Sequence, residues 1–371
     1  MNIRLMKLLD AAVGRIATSV FPAPSRINPP STITSLLLIR PGGIGDALLL
    51  APAIRTLNIN YPRAQITVLA ERRNAGAFSL IPGVAEVFCY DRPRELFQAL
   101  QSRYDIVIDT EQWHRLSAVV ARLVSAQVKI GFDTNERRRM FTHVISYSHD
   151  DYEAVSFAHL VEPLGIGAGG GALGVSFLSI PDAASAKTDI LLASLSDEFF
   201  ITLFPGASIT ERQWGADRFQ RVAEILTDFG IKTVVVGGNE DQHQGEVIVG
   251  NGPGRNLAGM TSLSETAAII KKSAMLLSAD SGVLHLAVGL GVPTVSLFGS
   301  GRVKKWAPEG EYHHVINKEL PCSPCTIFGN TPACPDSVRC MRNITVDEVV
   351  NAVTTLLTGV RAIPSRYCTR E

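Results

Sequence analysis

Net charge is absent from this chain of 371 residues, since 35 lysines and arginines balance 35 aspartates and glutamates. No global field therefore recruits nucleic acid, and any anionic partner has to be met by local clusters. Long apolar runs are missing too, and no uninterrupted stretch reaches the roughly 20 residues of a membrane span. The opening segment has no unbroken apolar centre of the kind a secretory signal needs, because Asp10 and Arg15 interrupt it. What is present is 46% hydrophobic and only 19% charged, the composition of a compact globular protein. The length favours two domains, each large enough for its own core.

The first 35 residues stand apart. Arg4, Lys7 and Arg15 are interleaved with Leu5, Met6, Leu8, Leu9, Val13, Ile16, Val20 and Phe21, and prolines 22, 24, 29 and 30 follow. This reads as an amphipathic arm and a proline-rich connector. The arm either packs on the body or lies on a membrane surface.

From Leu36 the chain alternates strand-like and helix-like segments. Strands are expected at Leu36–Arg40, Gln65–Ala70, Glu86–Tyr90, Tyr104–Asp109 and Val128–Phe132, with helices at Ala47–Asn60, Ala75–Ile81, Arg94–Arg103 and Leu116–Val124. The composition shifts at the glycine-rich stretch Gly165–Gly174, and the alternation resumes. A helix at Ala186–Ser194 leads into strands at Phe199–Phe204, Lys232–Val236, Met275–Ser278 and Thr294–Phe298. Helices at Arg218–Phe229, from Ser264, and at Thr345–Leu357 accompany them. Such alternation calls for mostly parallel sheets covered on both faces. The expected divisions are an arm over 1–35, domains over 36–185 and 186–345, and a helix and tail over 346–371.

Two glycine turns follow buried strands at equivalent places in the two halves. The first is Arg40-Pro41-Gly42-Gly43-Ile44-Gly45-Asp46, and the second is Ala279-Asp280-Ser281-Gly282-Val283-Leu284-His285. Ligands bind at such strand ends, where helix N-termini present unpaired N–H groups. The first turn is not a dinucleotide fingerprint, because Leu48 stands where the third glycine belongs. This disfavours a nicotinamide dehydrogenase. Asp46 is either a helix N-cap or a general base aimed at a cleft. Ser208, Thr210 and Arg212, on the loop after Phe204, suit a diphosphate, as does the turn Asp280-Ser281-Gly282. His285 is either part of that turn's site or a core residue.

These motifs, in order, resemble the heptosyltransferase family, the family 9 glycosyltransferases. The resemblance rests on Arg40–Asp46, Phe204-Pro205-Gly206-Ala207, Val236-Gly237-Gly238, Asn256-Leu257-Ala258-Gly259, Asp280–His285 and Gly291–Gly299. It implies the GT-B fold, two Rossmann-like parallel-sheet domains facing a central cleft. It also implies inverting, metal-independent transfer of a sugar, typically from ADP-heptose, to a lipopolysaccharide-type glycolipid acceptor. Asp46 falls on the family's catalytic base, and Gly43 and Gly45 fall on the acceptor side. Arg212 falls where relatives often carry a lysine at the donor phosphates. Gly237, Gly238, Gly259, Met260, Asp280, Ser281, Gly282 and His285 fall on the donor-binding turns. No catalytic cofactor is implied, and the expected place of work is the cytoplasm, extending to the inner face of the cytoplasmic membrane. The open alternatives are the same fold with another nucleotide sugar, or a non-catalytic nucleotide- or glycan-binding module.

Arg72-Arg73 and Arg137-Arg138-Arg139 are candidates for an anionic acceptor, with a solvated surface as the competing reading. The triple run is the stronger, since adjacent like charges repel unless an anion offsets them. Cys322, Cys325, Cys334 and Cys340 form one CxxC and two further thiols. A structural metal, reduced thiols and disulfides all remain open there.

Overall fold

The computed structural model describes residues 10–167, 176–195 and 199–359. The chain separates into two compact units, Met1–Leu173 and Gly174–Glu371. Part of the glycine-rich stretch, residues 168–175, lies outside the described residues. The expected division after residue 185 falls inside a helix, Asp182–Leu191, of the second unit. The last described helix, Val346–Gly359, places Val349, Val353, Leu356 and Leu357 in the second unit's core rather than standing apart.

The first unit holds a six-stranded sheet of β1 (Ser35–Arg40), β2 (Gln65–Ala70), β3 (Val84–Cys89), β4 (Arg103–Asp109), β5 (Ser125–Phe132) and β6 (His143–Ile145). Its order is β3-β2-β1-β4-β5-β6, and every pairing is parallel. Leu36 to Arg40 are all buried, because helices cover both faces of a parallel sheet and its central strands read as continuous apolar runs. One face packs Leu37, Ile39, Leu69 and Val107 against Ala118 and Ala121 of the helix Arg115–Leu123.

The second unit repeats the plan with β7 (Phe200–Phe204), β8 (Lys232–Val235), β9 (Arg255–Asn256), β10 (Leu276–Ala279), β11 (Thr294–Phe298) and β12 (His313–Asn317). The order β12-β11-β10-β7-β8-β9 is that of the first sheet written backwards, again all parallel. Both units are thus Rossmann-like, as the alternation predicts. In each, the strand order reverses beside the first strand, between β1 and β4 and between β7 and β10. Ligands of such sheets bind outside the strand ends at that point.

Local chemistry sets the departures from expectation. The helix expected over Ala47–Asn60 is two, Ile44–Leu49 and Ala51–Asn60. Pro52 has no N–H to give to the preceding turn, and the ladder resumes where Ile54 N donates to Leu50 O at 3.1 Å. The expected helix at Ala75–Ile81 begins earlier, as Arg72–Ala75, and tightens into a 3₁₀ turn over Gly76–Leu80. The arm is helical over its described part, Asp10–Val20, and docks on the helix Arg115–Leu123 through Asp10, whose Oδ1 accepts from Leu116 N at 2.8 Å.

Candidate functional site

In the first unit the chain leaves β1 through Gly42, whose φ of +107° a side chain would strain. Gly43 is the N-cap of the helix Ile44–Leu49, so Asp46 sits inside the first turn and caps nothing. A Cβ on Gly43 would stand 3.0 Å from Asp46 Oδ2, so glycine there leaves room for the carboxylate. Asp46 is partly exposed, its side chain 21% accessible.

Behind it lies a buried polar network that sequence reasoning missed. Gln112, just past the end of β4, donates from Nε2 to Asp46 Oδ1 at 3.0 Å and also to Glu153 Oε1. Tyr147 donates its hydroxyl to the other Glu153 oxygen at 3.0 Å. Arg40, fully buried, donates to Pro41 O at 2.6 Å, Thr110 O at 2.8 Å and Glu111 Oε2 at 3.1 Å. It lies 3.9 Å from Asp46 Oδ1 and over the Phe157 ring. Burial pushes the Glu111 carboxyl up, but Arg40 foremost, then His114 and Arg137, more than offset it and hold it below its usual range. Asp46 is therefore oriented by two partners while one side stays open to solvent.

The arginine run divides. Arg137 is not a surface charge: it is wholly buried, paired with the equally buried Asp109 at 2.6 Å and stacked over Phe141. The repulsion expected of three adjacent arginines is answered inside the protein, by Asp109. This removes Arg137 from the acceptor candidates. Arg138 and Arg139 are exposed, at the rim of a shallow hollow with Asp133, Asn135 and Glu136. Arg72 pairs with Asp91 at 3.0 Å and Arg73 with Glu71, so both carry local counter-charges.

In the second unit, Arg212 lies on the one-turn helix Thr210–Arg212 after β7, and its Nη1 pairs with Asp280 Oδ2 at 3.1 Å. Gly301 fits against that same carboxylate, and a Cβ there would displace it. Ser281 caps the helix Gly282–Gly289, accepting from Leu284 N at 3.4 Å. Ser208 and Thr210 are exposed, and so is Met260. Gly237 and Gly238 follow β8 closely. They wrap the buried Asp241, to which Gly238 N donates at 2.9 Å, and Gly206 packs on the same side chain. Gly259, at φ +73°, donates its N–H to Gly237 O at 2.9 Å and joins these turns.

His285 is buried beside Trp306, with their ring centroids 6.2 Å apart. Burial, with Arg212 second, lowers its pKa to about 4. The folded value lies below the unfolded one, so stability is complete above about pH 6.5 and lost as pH falls through about 4. The largest loss from this group is about 3 kcal/mol. Denaturant titrations at pH 7 and pH 4.5 should show the fall, and His285→Gln should shrink it. An unchanged pH dependence in that variant would place the acid sensitivity elsewhere.

Among the described residues no group of three or more His, Cys, Asp or Glu is placed to hold an ion. Cys322, Cys325, Cys334 and Cys340 are all free thiols. Cys340 is buried, and Cys334 Sγ accepts from Val338 N at 3.3 Å. Burial first, then the neighbouring thiols, raises the pKa of Cys325 and Cys340 and favours the protonated form.

A family model described as glycosyltransferase family 9 (heptosyltransferase) matches residues 93–331. The chain belongs to this family. It is therefore a glycosyltransferase. Lipopolysaccharide heptosyltransferase 3 of Escherichia coli is 25% identical over 289 residues, covering 71% of this chain and 83% of that relative. Among solved structures, E. coli ADP-heptose lps heptosyltransferase II superposes with a TM-score of 0.72 at 22% identity, over 88% of this chain and 100% of that one. E. coli heptosyltransferase WaaC with ADP-2-deoxy-2-fluoro heptose gives 0.67 at 16% identity, over 87% of this chain and 99% of that one. At these identities the structures establish the shared GT-B fold.

Proposed function

We propose that this glycosyltransferase moves a heptose from ADP-heptose to a lipopolysaccharide core-type glycolipid, with inversion and without a metal ion. The observation that carries the reading is Asp46: a carboxylate at the strand-order switch, open to solvent on one side, oriented by Gln112 and Arg40, and not used as a helix cap. Two relatives whose names or titles refer to heptosyl transfer and ADP-heptose support the choice of donor.

In this reading Asp46 takes the proton of the acceptor hydroxyl as its oxygen attacks the anomeric carbon. The bond to the acceptor forms on the face opposite the diphosphate, whose bond to carbon breaks. ADP leaves with the electron pair, and the proton stays on Asp46. Arg212 and the N-terminus of the helix Gly282–Gly289 offset the charge developing on the diphosphate. Ser208, Thr210, Asp280, Ser281 and Gly282 line the donor side, with Met260 beside the adenine and His285 as a neutral wall. Gly43 and Gly45 let the acceptor approach the backbone, and exposed Arg138 and Arg139, with Arg72 and Arg73, meet its anionic groups.

A glycolipid acceptor puts the reaction at the cytoplasmic face of a membrane. No helix of the described residues is long and apolar enough to cross one. The test is transfer from ADP-heptose to lipopolysaccharide cores of defined truncation, in excess chelator. Full activity and a product of inverted anomeric configuration are expected. Activity lost in chelator and restored by magnesium or manganese would overturn the metal-free mechanism. Transfer from a different nucleotide sugar alone would overturn the donor.

A further inference from the structure

The arm is an amphipathic helix docked the wrong way round for a soluble protein. A surface helix ordinarily turns its apolar stripe inward. Here the docked stripe is Asp10, Gly14 and Thr18, all buried and spaced four apart. Asp10 caps the helix Arg115–Leu123, and His114 Nδ1 lies 3.5 Å from its other oxygen. Gly14 admits that helix closely, since a Cβ there would stand 2.9 Å from Arg115 Cβ. Thr18 satisfies its hydroxyl on Gly14 O at 2.9 Å. The apolar residues point away: Val13, Ile16 and Val20, at spacings of three and four, are 51, 66 and 75% exposed.

Basic residues adjoin this stripe. Arg15 is on the arm itself, 3.6 Å from Glu136, and Glu136 begins the turn that carries exposed Arg138 and Arg139. Arg4 and Lys7 add two positive charges to the nine preceding residues, among Leu5, Met6, Leu8 and Leu9. An apolar stripe with flanking cations complements the surface of an anionic bilayer, where acyl chains take the one and headgroups the other.

We propose that the outward face of this arm, Val13, Ile16 and Val20 with Arg15, Arg138 and Arg139, is a docking surface for anionic membrane lipid. Its connection to the site is short. Asp10 caps the helix that starts three residues after Gln112, and Gln112 holds Asp46. Trp113, between them, is 39% exposed, a residue type that favours the headgroup level. The arm thus docks beside the segment that holds Asp46. The purpose given to this surface rests on the reading of the acceptor as a glycolipid. Its test does not.

The full chain, without donor or acceptor, is to be sedimented with vesicles of phosphatidylcholine alone and with phosphatidylglycerol added. Binding to the anionic vesicles only is expected, falling with salt. Val13→Ser/Ile16→Ser/Val20→Ser should abolish most of it while leaving ADP affinity and the folded circular dichroism signal intact. Arg138→Gln/Arg139→Gln should weaken partitioning by about fivefold per charge. Failure of the wild type to sediment, or undiminished binding of the serine variant, would overturn the proposal. So would arm-dependent dimerisation without vesicle binding, which would assign the stripe to a second copy of the chain. Vesicle binding with no heptose transfer would leave the surface standing and remove the proposed reaction.

Discussion

Asp46→Asn is expected to lower turnover by about 10²–10⁴-fold, the usual contribution of a general base, with nucleotide affinity nearly unchanged. The amide fills the carboxylate's space and still has an oxygen to accept from Gln112, so the β1 turn and its buried network stay in place. What it lacks is the basic oxygen that receives the proton. The effect should therefore appear in kcat, with the KM of both substrates close to the wild type. Steady-state transfer with ADP binding measured separately distinguishes this from a folding defect. A variant within about threefold of wild-type turnover would remove Asp46 from the chemistry.

The second large effect concerns stability. Arg137→Leu leaves the Asp109 carboxylate buried without its cation, and the cost expected of such a break is about 3–5 kcal/mol. Asp109 keeps Ser117 Oγ as a donor at 2.9 Å, which softens the loss without replacing the charge. The double variant Asp109→Leu/Arg137→Leu should recover much of it, because an apolar pair demands no compensation. By contrast, Arg138→Gln and Arg139→Gln should each stay within about 0.5 kcal/mol, as exposed substitutions do. Urea unfolding of the four proteins decides the matter. If Arg137→Leu were as mild as its neighbours, the buried pair would not be holding this part of the sheet together.

The arginine run shows where sequence reading reaches its limit. Three identical residues have different surroundings because a tight turn, Glu136–Met140, points one inward and two outward. The clue was on another strand: Asp109 closes an apolar run that has to be buried, and a buried carboxylate requires a cation. Strand existence was easier to read. β1 carries the unbroken run Leu36–Ile39, and β2 and β11 are β-branched and apolar stretches broken only by single hydroxyl residues, so all three lie where the pattern puts them. β9, two residues long, and the edge strands β6 and β12 carry no such run and were missed. The aspartates at the two turns were legible because strand ends in α/β sheets gather ligands. Gln112 follows β4 and could have been found by the same rule once β4 was paired with β1. Glu153 could not, since it reaches the network from a helix, Glu153–His159, that has no distinctive pattern. Asp241 escaped for a related reason: it lies on a short 3₁₀ turn, Asn239–Asp241, that has no distinctive pattern.

The strand order also bears on how the protein is made. β1 leaves the ribosome first yet ends at the centre of its sheet, with β2 on one side and β4 on the other. The half built from β1, β2 and β3 can form while residues 103–109 are still unmade, and it holds the future β4 edge of β1 open until they emerge. An unpaired strand edge invites pairing with other chains. The nascent chain is thus at its most vulnerable midway through the first unit, and the second unit passes through the same stage when β7 awaits β10. Each sheet grows outward from its oldest strand, so the turn that bears Asp46 is among the first parts of the molecule to take shape.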